Sequence, residues 1–157
     1  MANEIHSDLA ILVVGAGRVV ADRLGDAVAH SGVDDMRAPF GYVIRALAGR
    51  DRTLTELAGL LGVSKQAAIK VVDEMETRGF LTRATDPGDR RAKLLQLTAK
   101  GRRVRRAALA ASRKMEQELR AEIGDAAVDY MRGALEQLLA RHDALADARA
   151  GRSRAPW

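Results

Sequence analysis

This chain of 157 residues contains no cysteine and only three histidines, and these absences exclude several kinds of chemistry. Without a thiol there can be no disulfide framework, no thiolate zinc site and no redox switch based on cysteine. His6, His30 and His142 are scattered along the sequence without the spacing of metal ligands. We therefore expect neither a metal ion nor another cofactor.

Long apolar runs are also missing, and so is any recognisable arrangement of nucleophile, base and orienting group. No segment is long enough to predict a membrane span, and the N-terminus lacks the pattern of a signal peptide. We therefore expect a cytoplasmic protein without a membrane partner. The segment VVGAGRVV (13–20) has two glycines of a dinucleotide-binding loop, but apolar residues continue through it at helical spacing, which favours a long helix.

Residues 53–101 carry the most informative pattern, two short capped helices followed by two strands. Thr53 and Glu56 have the spacing of a capping box at the start of the first helix. Gly62 can end that helix because glycine tolerates a positive φ, and Ser64 is the N-cap candidate of the next one. So tight a turn makes the two helices cross, as in a helix-turn-helix.

The second of these helices, residues 64–78, is predicted to have one apolar and one more polar side. At about 100° per residue, one side gathers Ala68, Val71, Val72 and Met75. The other side carries Gln66, Ile69, Lys70 and Asp73. The apolar side should pack into a core and leave the other side for a partner.

Two short strands, 81–85 and 93–97, are predicted to flank the turn sequence DPGDRR. Proline and glycine favour a tight turn there, so that Arg90 and Arg91 lie near an exposed hairpin tip. Two crossed helices followed by such a hairpin indicate a winged helix-turn-helix, a module that binds DNA.

The excess of positive charge coincides with this module. The chain has a net charge of +5, but residues 64–113 contain 13 basic and 5 acidic residues, a net charge of +8. Residues 1–63 carry −2 and residues 114–157 carry −1. A positive block between nearly neutral flanks is typical of phosphate binding, and we expect double-stranded DNA as a partner.

Helices are predicted on both sides of the module. Their approximate bounds are 4–30, 35–49, 98–123 and 125–146, with Thr98 and Asp125 as N-cap candidates. One small winged module cannot cover the apolar stripes of the three long helices at the two chain ends, 4–30, 98–123 and 125–146. We therefore expect a second copy to pack on them, giving a homodimer whose recognition helices reach successive major grooves. The alternative is a self-contained monomeric bundle.

The order of elements and three motifs, LGVS, VDEMETRGF and DPGDRRAKLLQLTAKG, resemble the MarR family of bacterial transcriptional regulators. The resemblance implies a mainly α fold with a small β-hairpin wing and N- and C-terminal dimerisation helices. It also implies a homodimer on a pseudopalindromic operator, commonly a repressor released by a small aromatic or anionic effector. The implied organisation is one domain, 1–157, with dimerisation helices at 4–34 and 102–147, a DNA-binding lobe at 35–101 and a basic tail at 148–157.

The resemblance also implies site residues. The start and groove face of the recognition helix would be formed by Ser64, Lys65, Gln66 and Lys70. In the wing, Arg91 would enter the minor groove while Asp89 helps to orient it.

Their chemistry suits two separate tasks. Lys65, Lys70 and Arg90 can neutralise phosphates and hold the register on the duplex. Gln66 can bond a base edge, and Ile69 can touch a thymine methyl group.

Two positions depart from the family pattern, since Ile69 stands where a small polar residue is frequent and Glu74 where a basic one is frequent. The operator sequence therefore cannot be borrowed from relatives.

The location of family effector pockets makes Met36, Phe40 and Arg45 candidate effector residues. Two alternatives stay open: a regulator that binds DNA without a ligand switch, and a winged helix that docks onto other proteins.

Overall fold

The computed structural model describes residues 8–33, 35–89, 91–142 and 144, and within them the chain forms six helices and a three-stranded sheet. In chain order these are α1 (Leu9–Ala29), α2 (Ala38–Ala46), β1 (Arg52–Thr53), α3 (Leu54–Leu61), α4 (Lys65–Thr77), β2 (Leu81–Thr85), β3 (Lys93–Leu97), α5 (Ala99–Ile123) and α6 (Asp125–Arg141). The predicted class, mainly helical with a small β wing, is confirmed.

The predicted caps of the helix-turn-helix are confirmed. The amide of Glu56 donates to the Thr53 hydroxyl at 3.2 Å, and the Glu56 carboxylate accepts from the Thr53 amide at 2.8 Å. Gly62 ends α3 at φ 65°, and the Ser64 hydroxyl accepts from the amide of Ala67 at 3.1 Å. Because the backbone groups at these helix ends bond to residues only a few positions away, the sequence is sufficient to predict where α3 ends and where α4 begins.

The wing is part of a three-stranded antiparallel sheet of order β1-β3-β2, not an isolated hairpin. The predicted strands pair from Leu81 with Leu97 to Thr85 with Lys93. The extra strand, β1, was missed because two residues are too short to show an alternating pattern.

The predicted second helix, 35–49, is too long at both ends, since α2 spans only Ala38–Ala46. Arg37 before it is extended, at φ −120°, and Pro39 lies in its first turn. At the other end the chain must turn to reach β1, and Arg52 of that strand donates from Nε to the Ala46 carbonyl at 2.8 Å.

The core lies inside the lobe formed by α2 to β3 together with the ends of α1 and α5 that meet it. Phe40 and Phe80 meet edge to face at its centre, with ring centroids 5.2 Å apart. The predicted apolar side of α4 is confirmed, because Ala68, Val72 and Met75 are buried. The largest fully buried side chains are Phe40, Phe80, Leu57, Leu61, Met75, Leu81, Leu95, Val43, Val72 and Val104.

The long helices leave apolar side chains uncovered. In the described part α1 begins at Leu9 after the N-cap Asp8, and the predicted residues 4–7 lie outside the described residues. It packs along α5, where Arg23 pairs with Glu118. We use the name exposed apolar face for all the exposed large apolar side chains of these helices, which are Leu9, Ile11, Leu12, Val13, Val14, Val19 and Val20 of α1, Leu109 and Ile123 of α5, and Tyr130, Met131, Leu135 and Leu138 of α6.

The junction of α5 and α6 corrects the prediction that Asp125 caps the last helix. Gly124, at φ 85°, holds the N-cap position, and no side chain caps α6. Asp125 is instead the first helical residue, and its carboxylate accepts from Arg120 at 3.1 Å. Arg120 also pairs with Asp129 at 2.7 Å and Glu116 at 3.0 Å, so that one guanidinium ties the two helices together.

The helix α6 ends at Arg141, short of the predicted end near Ala146. Residues 145–157, with the predicted tail 148–157, lie outside the described residues. In the part of the chain that is described, no helix combines the length and the apolar character needed to cross a membrane.

Candidate nucleic-acid interface

The outward face of α4 presents the predicted recognition residues to solvent. Lys65, Gln66 and Lys70 are exposed, and Ile69 beside them is half-buried. Ser64 is exposed at the N-terminus of the helix, where its hydroxyl caps it. Gln66, Ile69 and Lys70 therefore share one surface, as the helical periodicity predicted, and Lys65, which the family resemblance added, lies beside them. Their contacts with DNA stay predictions.

The cations on this face differ from those behind it. Lys65 and Lys70 form no ion pair with any residue in the described ranges, so their charge is available to phosphates. Arg78 and Arg83, by contrast, both form ion pairs with carboxylates of α4. Counting basic residues along the sequence therefore overstates the number of cations that face a duplex.

The wing is tied to α4 through Arg83 of β2, a residue that the sequence analysis did not single out. Its guanidinium bonds Asp73 at 2.6 Å and also pairs with Glu76. These bonds, that of Asp73 first, raise the pKa of Arg83 above its ordinary value. Asp73 lies on the outward side as predicted, but its charge is directed at the wing. The acidic pair, spaced by three residues on α4, was the signal available in the sequence.

The turn of the wing is shaped by its aspartates. The Asp89 carboxylate accepts from the amide of Arg91 at 2.9 Å, and the Asp89 carbonyl accepts from Ala92 at 2.9 Å. Asp89 and Arg91 are both exposed. The aspartate thus orders the backbone that carries the arginine, which is one way to fulfil the orienting role expected of it. Arg90, the third predicted wing residue, lies outside the described residues.

The three predicted effector residues are in different environments. Phe40 is fully buried in the core, Met36 is half-buried against it, and Arg45 is exposed. None of them lines the open depression of about 500 Å³ beside the sheet. That depression is lined by Leu47, Ala48, Gly49, Arg50, Asp51, Thr82, Gln96, Leu97, Thr98, Arg102 and Arg105. The Nε of Arg105 is buried without a hydrogen-bond partner in the described part of the chain.

The capped turn, the exposed face of α4 and the ordered wing together define a winged helix-turn-helix. The family model of the MarR family matches residues 41–92, from within α2 to the wing turn. The chain is therefore similar to the MarR family over these residues.

Among curated proteins, the chain is similar to the transcriptional repressor MprA of Escherichia coli, with 33% identity over 89 residues. The matched part is 57% of this chain and 51% of MprA, so the chain spans about half the length of the curated relatives it matches.

Solved structures match over more of the chain. CouR from Rhodococcus jostii RHA1 bound to p-coumaroyl-CoA is 29% identical, with a TM-score of 0.60 over 84% of this chain and 92% of CouR. CouR bound to a 23-mer DNA duplex is 28% identical, with a TM-score of 0.61 over 91% and 97% of the two chains. A MarR family protein from Bacillus stearothermophilus shares the fold at 18% identity, with a TM-score of 0.68 over 86% and 93%.

Proposed function

We propose that this chain is a sequence-specific regulator of transcription that binds double-stranded DNA as a homodimer and acts as a repressor on a pseudopalindromic operator. The observation that carries the proposal is the outward face of α4. Lys65, Gln66 and Lys70 are exposed on this face, while the opposite side of the same helix is buried in the core. The CouR complex with a DNA duplex, at 28% identity, supports the same use of the fold.

Positioning and reading are divided among these side chains. Lys65 and Lys70 meet phosphates and release counterions, which makes binding depend on salt. Gln66 and Ile69 read base edges in the major groove. Arg91, on a turn ordered by Asp89, enters the adjacent minor groove, where a cation senses both the phosphate potential and the groove width.

The test is selection of bound fragments from random duplexes, followed by affinity measurements at several salt concentrations. We expect an enriched pseudopalindrome that is bound far more tightly than a scrambled duplex, with affinity falling as salt rises. A winged helix that only docks onto proteins would show no enrichment and no salt-sensitive duplex binding. That result would refute the proposal.

The homodimer is supported by the exposed apolar face of α1, α5 and α6. Leu9 is 73% exposed and Tyr130 is 82% exposed, although isolated chains rarely leave so many large apolar groups in water. Two copies that bury this face also present two recognition helices to the DNA. We expect a dimer in sedimentation at micromolar concentration, and loss of DNA binding when α1 is removed. A folded monomer would contradict this part of the proposal.

Release by a small aromatic or anionic effector is proposed by analogy with CouR, which has been solved with p-coumaroyl-CoA. An effector must bind the DNA-incompetent state more tightly than the competent one. A panel of aromatic acids and acyl-CoA thioesters tests this on the selected operator. If no ligand weakens binding, the ligand-independent regulator is the better description.

Arginine substitutions distinguish two locations for such an effector. Arg45→Gln should reduce the response if the site lies near the predicted pocket, and Arg105→Gln if it lies in the depression beside the sheet. Arg113→Gln is the matched control, because Arg113 is exposed on α5 and lines neither place.

A further inference from the structure

A cluster of charged side chains joins α4, the predicted recognition helix, to the segment between α1 and α2 and to the start of α5. We call it the polar hub, and it consists of Asp35, Arg37, Glu74, Arg78 and Lys100.

The first half of the polar hub is centred on Glu74, near the C-terminal end of α4. Nη1 of Arg37 lies 2.6 and 2.7 Å from the two carboxylate oxygens of Glu74. Nη2 of Arg78 lies 2.7 Å from one of the same oxygens. These partners, Arg37 first, lower the pKa of Glu74 below its ordinary value, because they favour the charged carboxylate. Glu74 thus binds the segment that precedes α2.

The second half is centred on Lys100, in the first turn of α5. Its Nζ lies 2.8 Å from the Asp35 carboxylate and donates to the Arg78 carbonyl at 2.9 Å. The same ammonium group lies 4.2 Å from the centroid of the Phe80 ring, and the Arg78 guanidinium lies 5.8 Å from that of Phe40. The polar hub therefore rests on the aromatic pair at the centre of the core.

Each set of bonds links a different pair of elements. Arg37 and Glu74 join the linker after α1 to α4, Lys100 and Asp35 join α5 to that linker, and Lys100 and the Arg78 carbonyl join α5 to α4. Both α1 and α5 carry part of the exposed apolar face. The polar hub is thus the place where the recognition helix is fastened to the helices that would form the dimer.

We propose that Glu74 and Lys100 are positioning residues that set the tilt of α4 against α1 and α5, and so determine the spacing between operator half-sites that the protein accepts. The inference rests on the proposed function. Gln66, on the DNA-facing side, precedes Glu74 by eight residues, roughly 12 Å along α4 at 1.5 Å per residue. A tilt of about 15° would displace it by roughly 3 Å, close to the 3.4 Å rise of one base pair.

The polar hub suits this role better than a purely stabilising one. Its side chains are partly exposed, and isolated surface ion pairs contribute little to stability. A network that shares one carboxylate and one ammonium group among three elements instead restricts their relative orientation. Weakening it should therefore change which duplexes are bound more than it changes unfolding.

The experiment measures affinity for duplexes in which the selected half-sites are kept and their separation is changed by one base pair in either direction. We expect the unaltered chain to discriminate against the altered spacings, and Glu74→Gln to reduce that discrimination about three- to tenfold with little change in thermal unfolding. Glu122→Gln is the matched control, because Glu122 is exposed on α5, pairs with no described residue and gives the same change in net charge.

Two variants of Arg37 test the contribution of the segment between α1 and α2. Arg37→Lys keeps the charge and should keep the spacing preference, whereas Arg37→Gln should lose it as Glu74→Gln does. An unchanged ratio between spacings in Glu74→Gln, or an equal loss in Glu122→Gln, overturns the inference and leaves the proposed function standing. If the unaltered chain binds no duplex at any spacing, the proposed function fails and the inference fails with it.

Discussion

Replacing Gly101 by alanine should destabilise the protein, although alanine is the better helix former. Gly101 is buried in the first turn of α5, where a Cβ atom would lie 2.2 Å from the Phe80 carbonyl oxygen and 3.1 Å from Cδ2 of Leu97. The Phe80 carbonyl is itself held, because it accepts from the amide of Thr98 at 3.0 Å and from its hydroxyl at 3.1 Å. The added methyl group therefore meets backbone that cannot move without losing hydrogen bonds.

Two opposing contributions determine how far the free energy of unfolding falls in Gly101→Ala. In a helix interior alanine is favoured over glycine by about 1 kcal/mol, and less than that in a first turn. Forcing an extra methyl group into a packed site costs about 1 to 3 kcal/mol, and contact with backbone places this site at the upper end. We expect the free energy of unfolding to fall by about 2 kcal/mol, or the melting temperature by roughly 4 to 8 °C for a chain of this size.

Urea denaturation at a fixed protein concentration measures this difference. Gly59→Ala is the matched control, because Gly59 is exposed in α3 and no atom lies within 4 Å of its added Cβ. That variant should be neutral or more stable by up to about 1 kcal/mol. If Gly101→Ala were as stable as the unaltered chain, the packing of α5 on the start of β2 described above would be wrong.

Three further predictions concern DNA binding and pH. Arg91→Ala should weaken operator binding strongly and flatten its salt dependence, and binding like that of the unaltered chain would exclude the wing assignment. Gln66→Ala and Ile69→Ala should each relax base preference by about 1 to 3 kcal/mol with little change in salt slope; equal losses on operator and scrambled duplexes would count against them. The Thr53 amide and then Arg50 lower the pKa of Glu56 from 4.5 to about 2, so its stabilisation should be lost as pH falls through that range. The difference in unfolding free energy between the unaltered chain and Glu56→Gln should shrink over the same range.

The features that could be predicted from sequence are those whose cause is local. Thr53, Gly62 and Ser64 end or begin helices through bonds to residues at most four positions away, and the structure has each of them where the pattern placed it. The wing strands pair around a turn whose residues favour it. Helical periodicity separated the buried and exposed sides of α4 in the same way, since 3.6 residues per turn is a property of the helix itself.

Features that depend on distant partners were missed or misread. The strand β1 exists only because β3 lies beside it, and the length of α2 is set by the path to that strand. Phe40 was a candidate for an effector pocket, and that role stays a prediction, but its neighbour in the structure is Phe80, forty positions away. Its apolar character predicts burial, but the sequence does not say whether the neighbour is a ligand or another side chain.

The sequence by itself determined the module, because capping, turn chemistry and helical periodicity act over a few residues and leave readable patterns. The tertiary structure decided how the charges are used. Arg83 faces Asp73 and Glu76, and Arg37 faces Glu74, across 7 to 37 positions of chain, whereas Lys70 on the same helix as these carboxylates has no such partner among the described residues. Charge pairs depend on distance in space, and only folding sets that distance for residues far apart in the chain.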